Sequence, residues 1–244
     1  MRSEPFFSRQ KVAIIGGKYR NLVENGMNSV GILPIWLPGN PDVDARLCGH
    51  ADLSVLHLRE KVFLAAPFLR NCSDFLEKME KFNAKIEFIP RQGRGYPQEA
   101  GLNICVCGEH VICNPATAEP SALSSFAGKN IISVKQGYSR CAVCKVNNHA
   151  IITADHGIAK ALEDSAVDVL EITPGYVRLD GFDYGFIGGA SFVPAEGFVA
   201  FTGHLHAHPD EDRICKFLEK HAVRPIYLSD EPIFDIGGSV LFDL

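Results

Sequence analysis

The apolar positions of this chain fall into short runs whose period changes in a fixed order. Two runs that read as strands, joined by a tight polar turn, are followed by a stretch of 3.6-residue periodicity and then by a third strand-like run. One copy opens at residue 49 with LSVLHL and VFLAA, continues through SDFLEKMEKF and closes on KIEFI. Further copies open at 99 (LNICVC, VIC, AEPSALSSF, NIISV), at 137 (CAVCKV, AIITA, HGIAKALEDSA, VDVLEI) and at 187 (SFV, FVAFT, EDRICKFLEKHA, VRPIYL). A final first strand, VLFDL, follows Ile236-Gly237-Gly238-Ser239, and its partners VAIIGG, KYRNLVENGM and ILPIWL stand at the other terminus. The order therefore occurs five times, with one copy split between the ends.

Local chemistry supports the segment types. The turns at 59–61, 108–110 and 147–149 carry Gly, Asn or charge between β-branched and apolar runs, as tight hairpins require. Phe75, Leu76, Met79 and Phe82, and likewise Ile214, Phe217, Leu218 and His221, share one face of a predicted helix. Asp155 and Asp210 precede two of the helices and are predicted to cap them. A unit of this size cannot bury its own apolar face, so neighbouring copies must pack on one another, and five of them are expected to close into a ring. The expected fold is α/β, one domain over 1–244. Its five ββαβ units span about 236–244 plus 11–37, 49–90, 99–134, 137–172 and 187–228, the first closed by the C-terminal strand.

Composition agrees with that reading. At 46% hydrophobic residues the 244-residue chain can fill a sizeable core. A net charge of −5 without a basic stripe argues against nucleic acid as a partner. The opening MRSEPFF lacks the pattern of a secretion signal, and no apolar run reaches the roughly 20 residues of a membrane span. The sequence thus predicts a soluble, cytoplasmic protein with no membrane partner, and it leaves the oligomeric state open.

Two clusters invite a metal. Cys105, Cys107 and Cys113 lie in one predicted hairpin, and Cys141 and Cys144 form a C-x-x-C in the next. Thiolates at such spacing bind zinc or iron-sulfur clusters. Strand alternation sends Cys141 and Cys144 to opposite faces, however, and buried free Cys commonly serves as a small hydrophobe. His204, His206 and His208 could converge from an extended segment, yet GHLHAHPD also reads as a polar loop leading into the helix after Asp210. The core and loop readings are preferred, so no metal ligand and no cofactor is assigned.

Polar residues collect instead in the connections between units, which include Asp42, Asp44, Arg46, His50, Asp52, Arg91, Arg94, Glu99, Arg140, Arg178, Asp180, Asp183 and Asp235. Equivalent repeats put these connections at one end of the molecule, and loops on a rigid scaffold are common carriers of binding sites.

Five ββαβ units with a C-terminal closing strand resemble the pentein fold, a five-bladed α/β propeller, of the guanidino-group modifying enzymes. QGYSRCAV, DYGFIGGAS and DIGGS resemble the motifs of an uncharacterised bacterial family of that fold. The resemblance implies a hydrolase-like site for a guanidino compound or an amino acid. In such enzymes a Cys attacks the guanidino carbon, a His moves protons and paired carboxylates hold the planar cation. Carried over by motif, His50-Ala51-Asp52 resembles an H-x-D element and Glu99-Ala100-Gly101 an E-G-G element. Alternation places His50 and Asp52 on one strand face.

The chain departs from the pattern at its end. Where the enzymes carry G-G-x-x-H-C, this chain reads Gly237-Gly238-Ser239-Val240-Leu241-Phe242, without His or Cys. The H-x-D also falls in an earlier unit than in the enzymes, and Tyr138-Ser139-Arg140 stands where it is expected. Arg140 would suit a carboxylate or phosphate. The candidate catalytic residues are therefore His50, Asp52, Glu99 and Cys141, with alternation turning Cys141 away from Arg140. Tyr138, Arg140, Asp183, Asp235 and Ser239 are the candidate ligand-binding residues. Three readings stand: an enzyme of guanidino-modifying type with a changed nucleophile, a non-catalytic ring that binds a metabolite or macromolecule, and a metal-dependent hydrolase.

Overall fold

Each predicted unit forms one three-stranded sheet. The computed structural model describes residues 7, 10–58, 61–64, 72–80, 85–89 and 93–243. Arg91, Phe82, Arg59, Glu60 and the start MRSEPF lie outside the described residues.

The first unit is β1 (Lys11–Gly16), α1 (Arg20–Ser29) and β2 (Ile32–Leu37), completed by β15 (Val240–Asp243). The second holds β3 (Val55–Leu58), β4 (Lys61–Leu64), α2 (Ser73–Glu80) and β5 (Lys85–Phe88). The third holds β6 (Cys105–Cys107), β7 (His110–Cys113), α3 (Pro120–Ser124) and β8 (Asn130–Ser133). The fourth is α4 (Ser139–Ala142), β9 (Val143–Lys145), β10 (Ala150–Thr153), α5 (His156–Ala161) and β11 (Asp168–Glu171). The fifth is β12 (Ser191–Phe192), β13 (Phe198–Phe201), α6 (Glu211–Lys220) and β14 (Arg224–Tyr227).

In every sheet the first strand pairs antiparallel with the second, and the third pairs parallel with the second across the helical crossover. The split unit keeps this order, with β15 on β1 in the register Val12 to Phe242 and Ile14 to Val240.

The middle strands explain why their sequences are apolar throughout rather than alternating. Both faces are buried, each against a different neighbour. Val12 and Ile14 pack with Val62 and Leu64 of the second unit, and Phe63 points the other way into the third, beside Val111 and Cys113. Ile112 meets Ile151 of the fourth, whose Ala150 and Ile152 meet Val199 and Phe201 of the fifth. Ala200 then packs with Ala13 and Ile15 of the first unit. Five apolar clusters thus lie one between each unit and the next, and the fifth joins the last unit to the first.

Two helix caps were expected. Asp155 caps α5, accepting from Ile158 N at 3.0 Å. Asp210 sits at the N-cap of α6 without capping it, because its carboxylate is taken by Thr173 N and by Arg213. The histidine loop does not converge. His208 is buried and accepts from Asp210 N, and His204 stacks on Tyr227. No two cysteines form a disulfide among the described residues. Among the described residues no helix is long and apolar enough to cross a membrane.

Candidate functional site

The segments that lead into the first strands meet one another, and two of them are helical where extended strand was expected. Residues Ala51–Leu53 form a 3-10 turn ahead of β3, so His50 and Asp52 are not related by strand alternation. Residues 139–142 form the single turn of α4, and β9 begins only at Val143. The helical turn rotates Cys141 back into the polar cluster, which corrects the expectation that it faces away.

Cys141 is the centre of this cluster. Its thiol donates to Asp52 Oδ2 at 2.8 Å and accepts from Asn103 Nδ2 at 3.4 Å. Asn103 Oδ1 in turn accepts from the backbone N–H groups of Arg140 and Cys141, at 2.7 and 3.1 Å, and so fixes the turn that presents the thiol. Sequence reasoning missed Asn103. Its signal was a lone amide inside the apolar run LNICVC, a position that is 1% exposed. Gly189 N donates to Cys141 O, tying the fifth unit to the fourth.

His50 and Asp235 complete the set. His50 Nδ1 lies 3.9 Å from Asp235 Oδ1, and the opposite nitrogen, Nε2, makes no hydrogen bond among the described residues. Asp235 accepts from Phe186 N and Gly237 N at 2.9 and 2.8 Å. The close approach depends on glycine: a Cβ at Gly189 would strike the Asp235 carboxylate, and Gly237 presses on His50 with φ of +75°.

Burial sets the electrostatics. Desolvation holds Asp52 up at about 6, opposed by the Cys141 hydrogen bond and Arg140. It raises Asp235 to about 7 against its two backbone N–H donors. His50 is pushed down to about 3 by burial, with Lys18 adding to the effect, so its imidazole is neutral. The Cys141 thiol is driven well above its usual value by burial and then by the carboxylates of Asp52 and Asp235. Donor atoms of His50, Asp52 and Cys141 lie within 4.8 Å of one another, and they are the set among the described residues that could hold a metal ion. An imidazole, a thiolate and a carboxylate are ligands of the kind zinc accepts.

The candidate residues divide between two cavities. One, of about 290 Å³, lies beneath the 173–186 loop and is lined by His50, Cys141 and Asp235 at its polar end, with Leu53, Phe182 and Phe186 among its apolar walls. Tyr138 and the exposed Asp183 line it too. Arg46 holds the loop in place, donating to Gly181 O at 2.9 Å with its guanidinium 4.0 Å from the Phe182 ring. The second, of about 260 Å³, is a channel walled by all five first strands, with Asp52, Arg140 and Ser239 on its lining. Glu99 lines neither cavity: its buried carboxylate accepts from Asp44 N, Gly95 N and Tyr138 Oη. Asp44 and Arg46 pair with each other, as do Arg178 and Glu231, on the surface.

Several solved structures are similar in fold to this chain. A Pseudomonas aeruginosa dimethylarginine dimethylaminohydrolase, a cysteine-to-serine variant complexed with citrulline, aligns over 98% of this chain and 100% of its own, at 13% identity and a TM-score of 0.54. C. jejuni agmatine deiminase aligns over 93% and 90%, at 12% identity and 0.54. An amidinotransferase of saxitoxin biosynthesis from Microseira wollei aligns over 93% and 91%, at 11% identity and 0.55. Comparison with curated protein sequences finds no match. At these identities the likeness establishes the fold, that of the pentein guanidino-group modifying enzymes. Within that fold the chain belongs to the family of unknown function DUF6873, whose model matches residues 14–240.

Proposed function

We propose that this protein is a cytoplasmic, single-domain five-bladed α/β propeller that acts on a C–N bond of a small guanidino or amino-acid-like compound, with Cys141 as nucleophile. The observation that carries the reading is the 2.8 Å bond from the Cys141 thiol to Asp52, at the edge of a cavity that His50 and Asp235 also line.

The resting thiol is neutral, because two carboxylates and burial oppose its ionisation. A guanidinium entering the pocket reverses that balance. Its positive charge stabilises ionised Asp235 and favours the thiolate, while Asp52 takes the thiol proton. The thiolate adds to the electrophilic carbon. The C–N bond then breaks as the leaving nitrogen is protonated, from Asp52 directly or through His50 Nε2, leaving an S-alkylthiouronium on Cys141. Water adds to that carbon, the C–S bond breaks, and the thiol is restored with a ureido product. Asn103 holds the sulfur through both steps, and Tyr138, positioned by Glu99, forms one wall. Release of ammonia or amine from arginine, agmatine or a related compound, lost in Cys141→Ser, tests the reaction. A covalent adduct at Cys141 with 2-chloroacetamidine tests the nucleophile.

The depth of the thiol favours a second reading. Cys141 is 2% exposed, which suits a ring that binds its ligand without reacting. Ligand binding in calorimetry that survives Cys141→Ser, with no ammonia released by the wild type, would establish that reading.

A further inference from the structure

The channel has a built polar end that the proposed reaction does not use. It is separated from the reaction pocket by the Cys141–Asp52 pair, since Cys141 lines the pocket and Asp52 the channel. Arg140 projects on this side. Its guanidinium makes one hydrogen bond among the described residues, to Gly188 O at 3.4 Å, out of five N–H donors. Ser239, 6% exposed, lines the same end, and its Oγ has no hydrogen-bond partner among the described residues. Lys145 stands on the channel wall with no ion pair among the described residues, so Arg140 and Lys145 outweigh Asp52, the one acid of the described lining. The remaining walls include Val55, Ile104, Phe192 and Val240. Leu58, Val106 and Leu241 on the lining are only partly buried, so the channel meets solvent.

A guanidinium with spare donors and a spare hydroxyl at the polar end of a mainly apolar channel match a planar oxyanion carrying a short aliphatic body. We propose that the channel is a second ligand site that binds a small aliphatic carboxylate, its carboxylate on Arg140 and Ser239 and its chain against the apolar walls. The site stands independently of any reaction at Cys141. A bound carboxylate would neutralise the cation nearest Asp52 and so give the channel ligand an influence on the thiol behind it.

Isothermal titration calorimetry of the full chain with isovalerate, acetate and inorganic phosphate tests this. Isovalerate is expected to bind once per chain and more tightly than acetate or phosphate. Arg140→Gln is expected to weaken it by about tenfold or more, and Ser239→Ala by several-fold, as for lost hydrogen bonds to a charged group. Cys141→Ser is expected still to bind isovalerate, which shows that the channel site does not need the thiol of the reaction pocket. Should Arg140→Gln fail to fold, Ser239→Ala and Lys145→Gln, each checked by its melting temperature, carry the comparison. The proposal is overturned by absence of isovalerate binding at millimolar concentration. It is equally overturned by unchanged affinity in folded Arg140→Gln or Ser239→Ala, or by phosphate binding more tightly than isovalerate.

Discussion

The thiol of Cys141 and the carboxylate of Asp52, 89 residues apart in sequence, meet at 2.8 Å on the boundary between two cavities. Neither group is at its ordinary protonation equilibrium, because each is buried, and while the thiol's hydrogen bond favours the Asp52 charge, that charge opposes ionisation of the thiol. Whatever changes the charge on one side therefore reaches the other.

Replacing Asp52 by Asn tests that coupling. The amide keeps an oxygen to accept from the thiol while removing the negative charge that opposes thiolate formation. The pH at which Cys141 reaches half its maximal alkylation rate, followed on its peptide by mass spectrometry, is expected to fall relative to wild type. Turnover of a guanidino substrate is expected to fall as well, because the group that takes the thiol proton is gone. A variant with an unchanged alkylation profile would show that Asp52 does not control the sulfur.

Asp235 gives a prediction for stability against pH. Its folded value, about 7, lies above the unfolded value of about 3.9, so the folded state holds a proton that the unfolded state has released. Stability from this group is fully present below about pH 4 and is lost as pH rises to about 7. His50, pushed down to about 3, acts oppositely: its contribution is present above about pH 6.5 and is lost as pH falls. Measuring the difference between wild type and Asp235→Asn isolates the first effect. The variant is expected to gain on the wild type between pH 4.5 and 7.5, by an amount on the order of a few kcal/mol. Urea denaturation across that range checks it, and a difference independent of pH would refute it.

The repeat and the strand pairing were legible because each middle strand is apolar on both faces, a signal spread over four or more residues. The hairpin after Cys107 was legible from Gly108 and Glu109, and Asp155 from its cap position. The two helical turns at 51–53 and 139–142 were not, because one turn is too short to show a period. With those turns read as strand, Cys141 seemed to face away. His50, Asp52 and Asp235 could be picked out by residue type, yet nothing local indicates which of them meet. Asn103 was hidden because an amide that hydrogen-bonds across units looks, in its own segment, like an interruption of a strand. The departure at Asp210 has the same cause, since its partners Thr173 N and Arg213 come into reach only through the fold.

Glycine substitutions distinguish a crowded backbone from a merely unusual one. Gly31 and Gly237 have φ of +79° and +75°, but a Cβ at Gly31 meets open space while one at Gly237 collides with His50. Gly31→Ala is expected to cost about 1 kcal/mol, the conformational term alone. Gly237→Ala is expected to cost clearly more and to displace His50, with thermal melting reading the first effect and loss of ligand binding the second. Equal costs at the two sites would show that the His50 contact is soft.

Glu99 lies outside both cavities, and the way it fails when mutated should reveal what it does. Its carboxylate accepts three hydrogen bonds, from Asp44 N, Gly95 N and Tyr138 Oη, so it ties the 40–46 loop to one wall of the reaction pocket. Glu99→Gln replaces one acceptor oxygen by a donor and removes the charge, so either a backbone N–H loses its acceptor or the Tyr138 bond reverses, with Oη accepting in place of donating. The expected result is a destabilisation of about 1–3 kcal/mol and a rise in KM, with kcat changed much less, because Tyr138 shapes the pocket without taking a proton in the reaction. Tyr138→Phe should reproduce the KM effect with a smaller loss of stability, since it leaves the two backbone bonds to Glu99 in place. A collapse of kcat in Glu99→Gln with KM preserved would instead put Glu99 among the groups that act on the substrate.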